Sequence, residues 1–98
     1  MALADPARVS ATEHTLLSLL SASGASYGLQ LVERSDDKLK RASIYVLLSR
    51  LEDRGFVKSS YIETPAGEQG PRRRVYEVTR TGQRVLRAWA AARRVWNG

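Results

Sequence analysis

The chain has no cysteine. That excludes disulfides and thiolate-held zinc or iron–sulfur centres, and it fits a reducing, cytoplasmic location. Histidine is almost as scarce: His14 is alone, with no second imidazole to complete a metal pair or a triad. No apolar run approaches the ~20 residues of a membrane-crossing helix, and the mixed first ten residues, broken by Asp5, Pro6 and Arg8, do not read as a signal peptide. The glycines form no phosphate loop; Gly24 and Gly28 lie in a turn without a Walker or dinucleotide pattern. The neighbours Glu52 and Asp53 have no catalytic companion, and Asp36-Asp37 read as a helix stop. An enzyme and a membrane protein are both disfavoured, and neither cofactor nor metal is expected.

What the chain does have is positive charge, unevenly placed. Its 16 Lys and Arg against 10 Asp and Glu give +6. Residues 1–37 hold two basic and five acidic side chains, a local −3, whereas residues 38–98 hold fourteen basic and five acidic, a local +9. A concentrated positive field attracts polyanions such as nucleic acid. A solvated basic surface is the plainer reading of the same numbers.

Ninety-eight residues with 43% apolar content suffice for one small domain whose modest core invites association with a second copy. Residues 1–9, with Pro6 and no period, read as a loose arm. Ser10 and Glu13 have capping-box spacing, and the leucines that follow put a helix at about 11–21. Ser26 is placed to cap a second helix over 27–34, in which Leu29 and Val32 share a face. Lys38 to Arg41 lead into the clearest helix, where Ile44, Leu47, Leu48 and Leu51 make one apolar stripe. Gly55 is placed to end it. A strand from Phe56 to Glu63, a Gly/Pro loop over 64–71 and a returning strand from Arg73 to Val78 form a hairpin. Thr79 can cap a last helix reaching Trp96. The expected fold is therefore mainly α with a small β-hairpin, a winged helix-turn-helix over 10–79 followed by a C-terminal helix over 80–98.

With this order established, particular runs become recognisable. Thr15-Leu-Leu-Ser-Leu-Leu20 followed by Ser26-Tyr-Gly-Leu-Gln-Leu-Val32 resembles the start of PadR-like transcriptional regulators. Ser43-Ile-Tyr45 leading into Leu48-Ser-Arg-Leu-Glu-Asp-Arg-Gly55 does so too, as do Gly70-Pro-Arg-Arg-Arg-Val-Tyr-Glu-Val-Thr79 and Thr81-Gly82. The resemblance spans about residues 13–96. It implies a bacterial DNA-binding regulator, with repression the default because no domain is left over to contact polymerase. Lys40, where a small capping residue is usual, and Val46, in place of a common proline, depart from the pattern.

If the leucine stripe points inward, Ala42, Val46, Ser49 and Asp53 face outward, with Tyr45 and Arg50 on the flanks and Arg41 and Ser43 near the start. The second helix of such a pair enters the major groove. Small Ala42, Ser43 and Ser49 allow close approach, and Val46 can meet a thymine methyl or pack on the protein itself. The resemblance assigns the Tyr45 phenol to a phosphate; packing on the wing is its alternative. Lys38, Lys40 and Arg41 stand where helix 3 begins, a position that favours phosphate. Arg72, Arg73 and Arg74 supply the wing, Arg73 foremost, for the backbone or a narrow minor groove; a charged edge that deters strand pairing is the alternative.

On the last helix Val85, Leu86, Trp89, Ala92 and Trp96 form a seam at helical spacing. Together with Leu16 and Leu20 they are the expected interface of a two-fold homodimer, which predicts an inverted-repeat operator on double-stranded DNA. In the resembled family such aromatics can line a pocket for a flat hydrophobic effector, which makes Trp89 and Trp96 the candidate lining. The rival from another class is a winged-helix module that binds protein rather than DNA. An RNA binder lacks its stacking platform.

Overall fold

The computed structural model describes residues 9–62 and 73–97, with side chains to Ala92 in the last helix. Residues 1–8 of the expected arm over 1–9, the loop over 64–71, Glu63, Arg72 and the Trp96 side chain lie outside the described residues. The elements run α1 (Ala11–Ser23), α2 (Gly28–Arg34), α3 (Ile44–Asp53), β1 (Val57–Ile62), β2 (Arg73–Val78) and α4 (Arg80–Asn97). Among the described residues, four helices and one antiparallel hairpin make the fold mainly α with a small β-hairpin, a winged helix.

Each boundary has a local cause. Ser10 Oγ accepts from the Glu13 amide while Glu13 Oε1 accepts from the Ser10 amide, both at 3.0 Å, so the capping box is closed. α2 stops because Asp36 and Asp37 adopt left-handed φ of 55° and 67°, a conformation Asp tolerates better than most residues. The Ser35 hydroxyl bridges the turn, donating to the Val32 carbonyl at 2.7 Å and accepting from the Leu39 amide at 3.0 Å. α3 ends in a Schellman motif: the Phe56 amide reaches the Leu51 carbonyl and the Gly55 amide that of Glu52, both at 2.9 Å. Gly55 takes φ +80°. The Gly82 amide donates to Thr79 Oγ1 at 3.1 Å, capping α4 as expected.

The core gathers Leu16, Leu17 and Leu20 of α1, Leu31 of α2, Leu39 of the turn, and Ile44, Leu48 and Leu51 of α3. Phe56, Val57, Tyr76 and Val85 close it. Burial pushes the Tyr76 phenol above its ordinary pKa; the Arg74 guanidinium opposes this shift and the Glu52 carboxylate adds to it. In the hairpin Val57 pairs with Val78, Ser59 with Tyr76 and Tyr61 with Arg74. Directly opposed residues share a face, so the side carrying Val57 and Tyr76 is the one on the helices.

Several expectations are corrected here. Ser26 does not cap α2: its amide and carbonyl pair with Tyr76 at 3.0 and 2.8 Å, adding a one-residue edge to the hairpin. A backbone bonded on both sides to a strand is extended, and Tyr27 takes the cap position instead. Leu29 is 40% exposed, and Leu31 is the buried leucine of α2. Helix 3 begins at Ile44, after a turn at 41–43 in which the Ser43 amide donates to the Lys40 carbonyl at 3.1 Å. Val9, the last residue of the expected arm, is buried.

The seam is corrected most. Leu16, Leu20 and Val85 are at most 1% exposed within one chain, so they have no surface to offer a partner. The start of α4 is part of the same core, because Gly82 lets that helix lie against the Phe56 backbone.

Candidate nucleic-acid interface

The inward stripe and the outward face of α3 separate cleanly. Ile44, Leu48 and Leu51 have no exposed surface, and Leu47 is half-buried. Ala42, Tyr45, Val46, Ser49, Arg50 and Asp53 are exposed, and Ser43 is intermediate. Val46 is 52% exposed, so it does not pack on its own chain. Lys38, Lys40 and Arg41 are exposed beside the start of the helix. Among the described residues these three and Arg50 form no ion pair, whereas Arg54, Lys58 and Arg74 do. Four unpaired cations therefore border the outward face of α3.

Tyr45 is 51% exposed and its ring lies against α2 at Gly28. A methyl group on Gly28 would come within 2.8 Å of its ring and 3.1 Å of its hydroxyl. Glycine at 28 thus lets the phenol lie flat across α2 with its oxygen at the surface. The clash involves only the far end of a side chain, so Gly28→Ala is expected to move the Tyr45 hydroxyl without unfolding the protein. If that hydroxyl holds a phosphate, Gly28→Ala and Tyr45→Phe should each weaken duplex binding about tenfold per site. Unchanged affinity in both, by fluorescence anisotropy, would remove Tyr45 from the contact set.

The wing arginines diverge. Arg73 is exposed and its Nη1 donates to the Tyr27 hydroxyl at 2.8 Å, with the guanidinium 5.1 Å from that ring's centroid. Arg74 turns to the other side of the strand. Its Nη2 donates to Glu52 Oε1 at 2.9 Å and its Nε to Ser59 Oγ at 3.0 Å. Expected as a second wing contact, Arg74 is instead tied to the end of α3. Alternation along the strand forces the split. Tyr27, Leu29, Gln30, Glu33, Tyr45, Arg73 and Arg74 line one open cleft of about 700 Å³ between α2, α3 and the wing. Sequence reading missed Tyr27 here, since its only signal is an aromatic at the start of α2, 46 residues from its partner.

On the far side of the domain α4 lies along α1. The rings of Trp89 and His14 stack at 4.1 Å and 16°. Beside them His14, Ser18, Ser21, Ala22, Leu86 and Ala90 line an open groove of about 330 Å³. Leu86, Trp89 and Ala92 keep part of their surface, and the helix runs on to Asn97. Among the described residues no cluster of acidic or histidine side chains could hold a metal, and no helix is long and apolar enough to cross a membrane.

The geometry can be set beside known proteins. The family described as transcriptional regulator PadR-like family matches residues 16–88. A PadR-like transcription factor from Bacteroides fragilis superposes with a TM-score of 0.79 at 22% identity, covering 93% of this chain and 87% of that one. A PadR family transcriptional regulator from Eggerthella lenta gives 0.71 at 29% identity, covering 86% and 72%. Bacillus subtilis PadR, solved in complex with operator DNA, gives 0.73 at 20% identity, covering 84% of this chain and 48% of that longer one. Comparison with curated proteins gives no match.

Proposed function

The chain belongs to the PadR-like family of transcriptional regulators, and from that premise we propose that it is a repressor that binds an inverted-repeat operator as a homodimer. The observation that carries this reading is the uncovered face of α3, small and apolar at its centre and bordered by unpaired cations. Ala42, Val46 and Ser49 meet base edges, with Ser43 allowing close approach. Arg50 flanks them. Tyr45, Lys38, Lys40 and Arg41 hold phosphates at the rim of the groove, and Arg73, steadied by Tyr27, holds the backbone beside the wing. A module with three or four phosphate contacts binds weakly at physiological salt, so two are needed. With about 6–10 contacts, affinity falls by roughly 10³–10⁵ between 50 and 200 mM salt.

The dimer is proposed through the later part of α4. Past Val85 no described side chain of α4 is fully buried in its own domain. The small residues Ser18, Ser21, Ala22 and Ala90 let a second helix approach the groove closely. Leu86, Trp89, Ala92 and Trp96 are the apolar side chains assigned to that contact. A flat hydrophobic effector, if one regulates the protein, is assigned to the same place, beside Trp89 and Trp96.

Selection of bound sequences from a random duplex pool tests the reading. The expected result is an inverted repeat with half-sites about one helical turn apart. No enrichment of any duplex at 50 mM salt would overturn it. Within the same assay Val46→Ala is expected to change the preferred base at one position of each half-site, by about 1 kcal/mol of discrimination, the worth of one or two buried methyl groups. An unaltered preference would remove Val46 from the readout.

A further inference from the structure

Arg74 is the one wing cation of the described residues that is locked by a closed ring of hydrogen bonds. Ser59 Oγ donates to Glu52 Oε2 at 2.6 Å and accepts from Arg74 Nε at 3.0 Å, while Arg74 Nη2 donates to Glu52 Oε1 at 2.9 Å. Both carboxylate oxygens are used, and the guanidinium lies 5.7 and 5.4 Å from the ring centroids of Tyr61 and Tyr76. Arg74 nevertheless lines the same cleft as Tyr45 and Arg73, and its side chain keeps 42% of its surface. An arginine there without a carboxylate partner would have a phosphate backbone as its natural anion, because a planar guanidinium takes carboxylate and phosphate by the same two-pronged geometry.

We propose that Glu52 acts as an internal stand-in for phosphate, holding Arg74 out of the DNA contact set and so setting both the affinity for duplex and its salt dependence. This rests on the DNA-binding reading given above. In the native protein Arg73, on the other face of the strand, then makes the backbone contact. The physical basis is simple competition: a carboxylate already at 2.9 Å, shared with a serine hydroxyl, is lost before any phosphate is gained.

The experiment measures binding to random-sequence duplex as a function of salt for the native chain, Glu52→Gln, Arg74→Ala and the double variant. Each added phosphate contact steepens the log–log slope by about 0.9, which near 0.15 M salt is roughly fivefold in affinity per module. Glu52→Gln is expected to gain that slope and that affinity, Arg74→Ala to keep the native slope, and the double variant to return to it. A native slope that flattens in Arg74→Ala would show that the arginine already touches phosphate, and overturns the proposal. So does a Glu52→Gln slope equal to the native one, or a gain that survives in the double variant, since the cause would then be the lost negative charge alone. A Glu52→Gln chain that no longer folds, by circular dichroism, makes the ring a structural clasp and also overturns it. If the native chain binds no duplex at any salt, the DNA-binding reading fails and this inference with it. If the native chain binds and only the slopes disagree, the failure belongs to Glu52 alone.

Discussion

Replacing Gly82 by alanine is expected to lower the melting temperature by roughly 5–15 °C, because among the described glycines it is the one where a Cβ would meet backbone at close range. A Cβ at 82 would lie 2.2 Å from the Phe56 carbonyl oxygen and 2.7 Å from Val78 Cγ1. The first obstacle is backbone and cannot rotate away. It is also committed, because that carbonyl accepts from the Thr79 amide at 3.0 Å, and the Thr79 hydroxyl donates to the Gly55 carbonyl. Relief therefore requires α4 to lift from the β1 entrance, drawing Val85 out of the core. Overpacking of this kind costs about 1–3 kcal/mol and occasionally more. Alanine's advantage over glycine inside a helix, about 1 kcal/mol, is too small to reverse the sign. For a domain of this length each kcal/mol moves the midpoint by about 4–8 °C. A melting curve for Gly82→Ala within 2 °C of the native one would mean that α4 does not sit where it is placed.

That contact also shows where a reading from sequence alone stops. Thr81-Gly82 can be recognised as part of a family pattern, but nothing in the pair says that glycine is required by a carbonyl 26 positions earlier. What was legible came from periodicity. Ile44, Leu47, Leu48 and Leu51 repeat with the helical period, and the chain buries that stripe and exposes the opposite face. The returning strand is legible to the residue because alternation begins at Arg73 and stops at Thr79. Where the period was too short to set a phase, the reading slipped. A helix of seven residues carrying Leu29, Leu31 and Val32 can present either leucine inward, and packing against α1 and α3 chooses Leu31.

Other features left no local trace. Ser26 pairs with Tyr76 through main-chain atoms, and main-chain pairing of a single residue has no side-chain signature. The divergence of Arg73 and Arg74 follows from alternation, but their partners, Tyr27 and Glu52, lie 46 and 22 residues away and become visible only when the helices are in place. Leu16, Leu20 and Val85 fit a dimer seam as well as a core by sequence. Closing a core of 98 residues takes every large aliphatic side chain it can reach, and the fold uses them first. The candidate interface was therefore legible as a face and as a set of charges, whereas which charges are already spent was not.

Placing a charge in the groove between α1 and α4 is expected to cost the protein most of its DNA affinity without touching the DNA face. Ala90 is exposed in one chain and lines that groove, so Ala90→Arg leaves the single domain intact; the helix propensities of the two residues differ by only a few tenths of a kcal/mol. In a dimer packed through α4 the same guanidinium would be buried against Leu86 and Trp89 without an anion, and the pair should come apart. Sedimentation is expected to change from two chains to one at micromolar protein. Operator affinity should then fall by roughly 10²–10⁴, the avidity lost when two linked modules become two independent ones. The salt slope should halve as the number of phosphates engaged per complex halves. The two readouts separate cause from effect. A variant that remains dimeric removes the α1–α4 groove from the interface, and one that becomes monomeric yet binds operator as tightly as before would mean that each module acts alone.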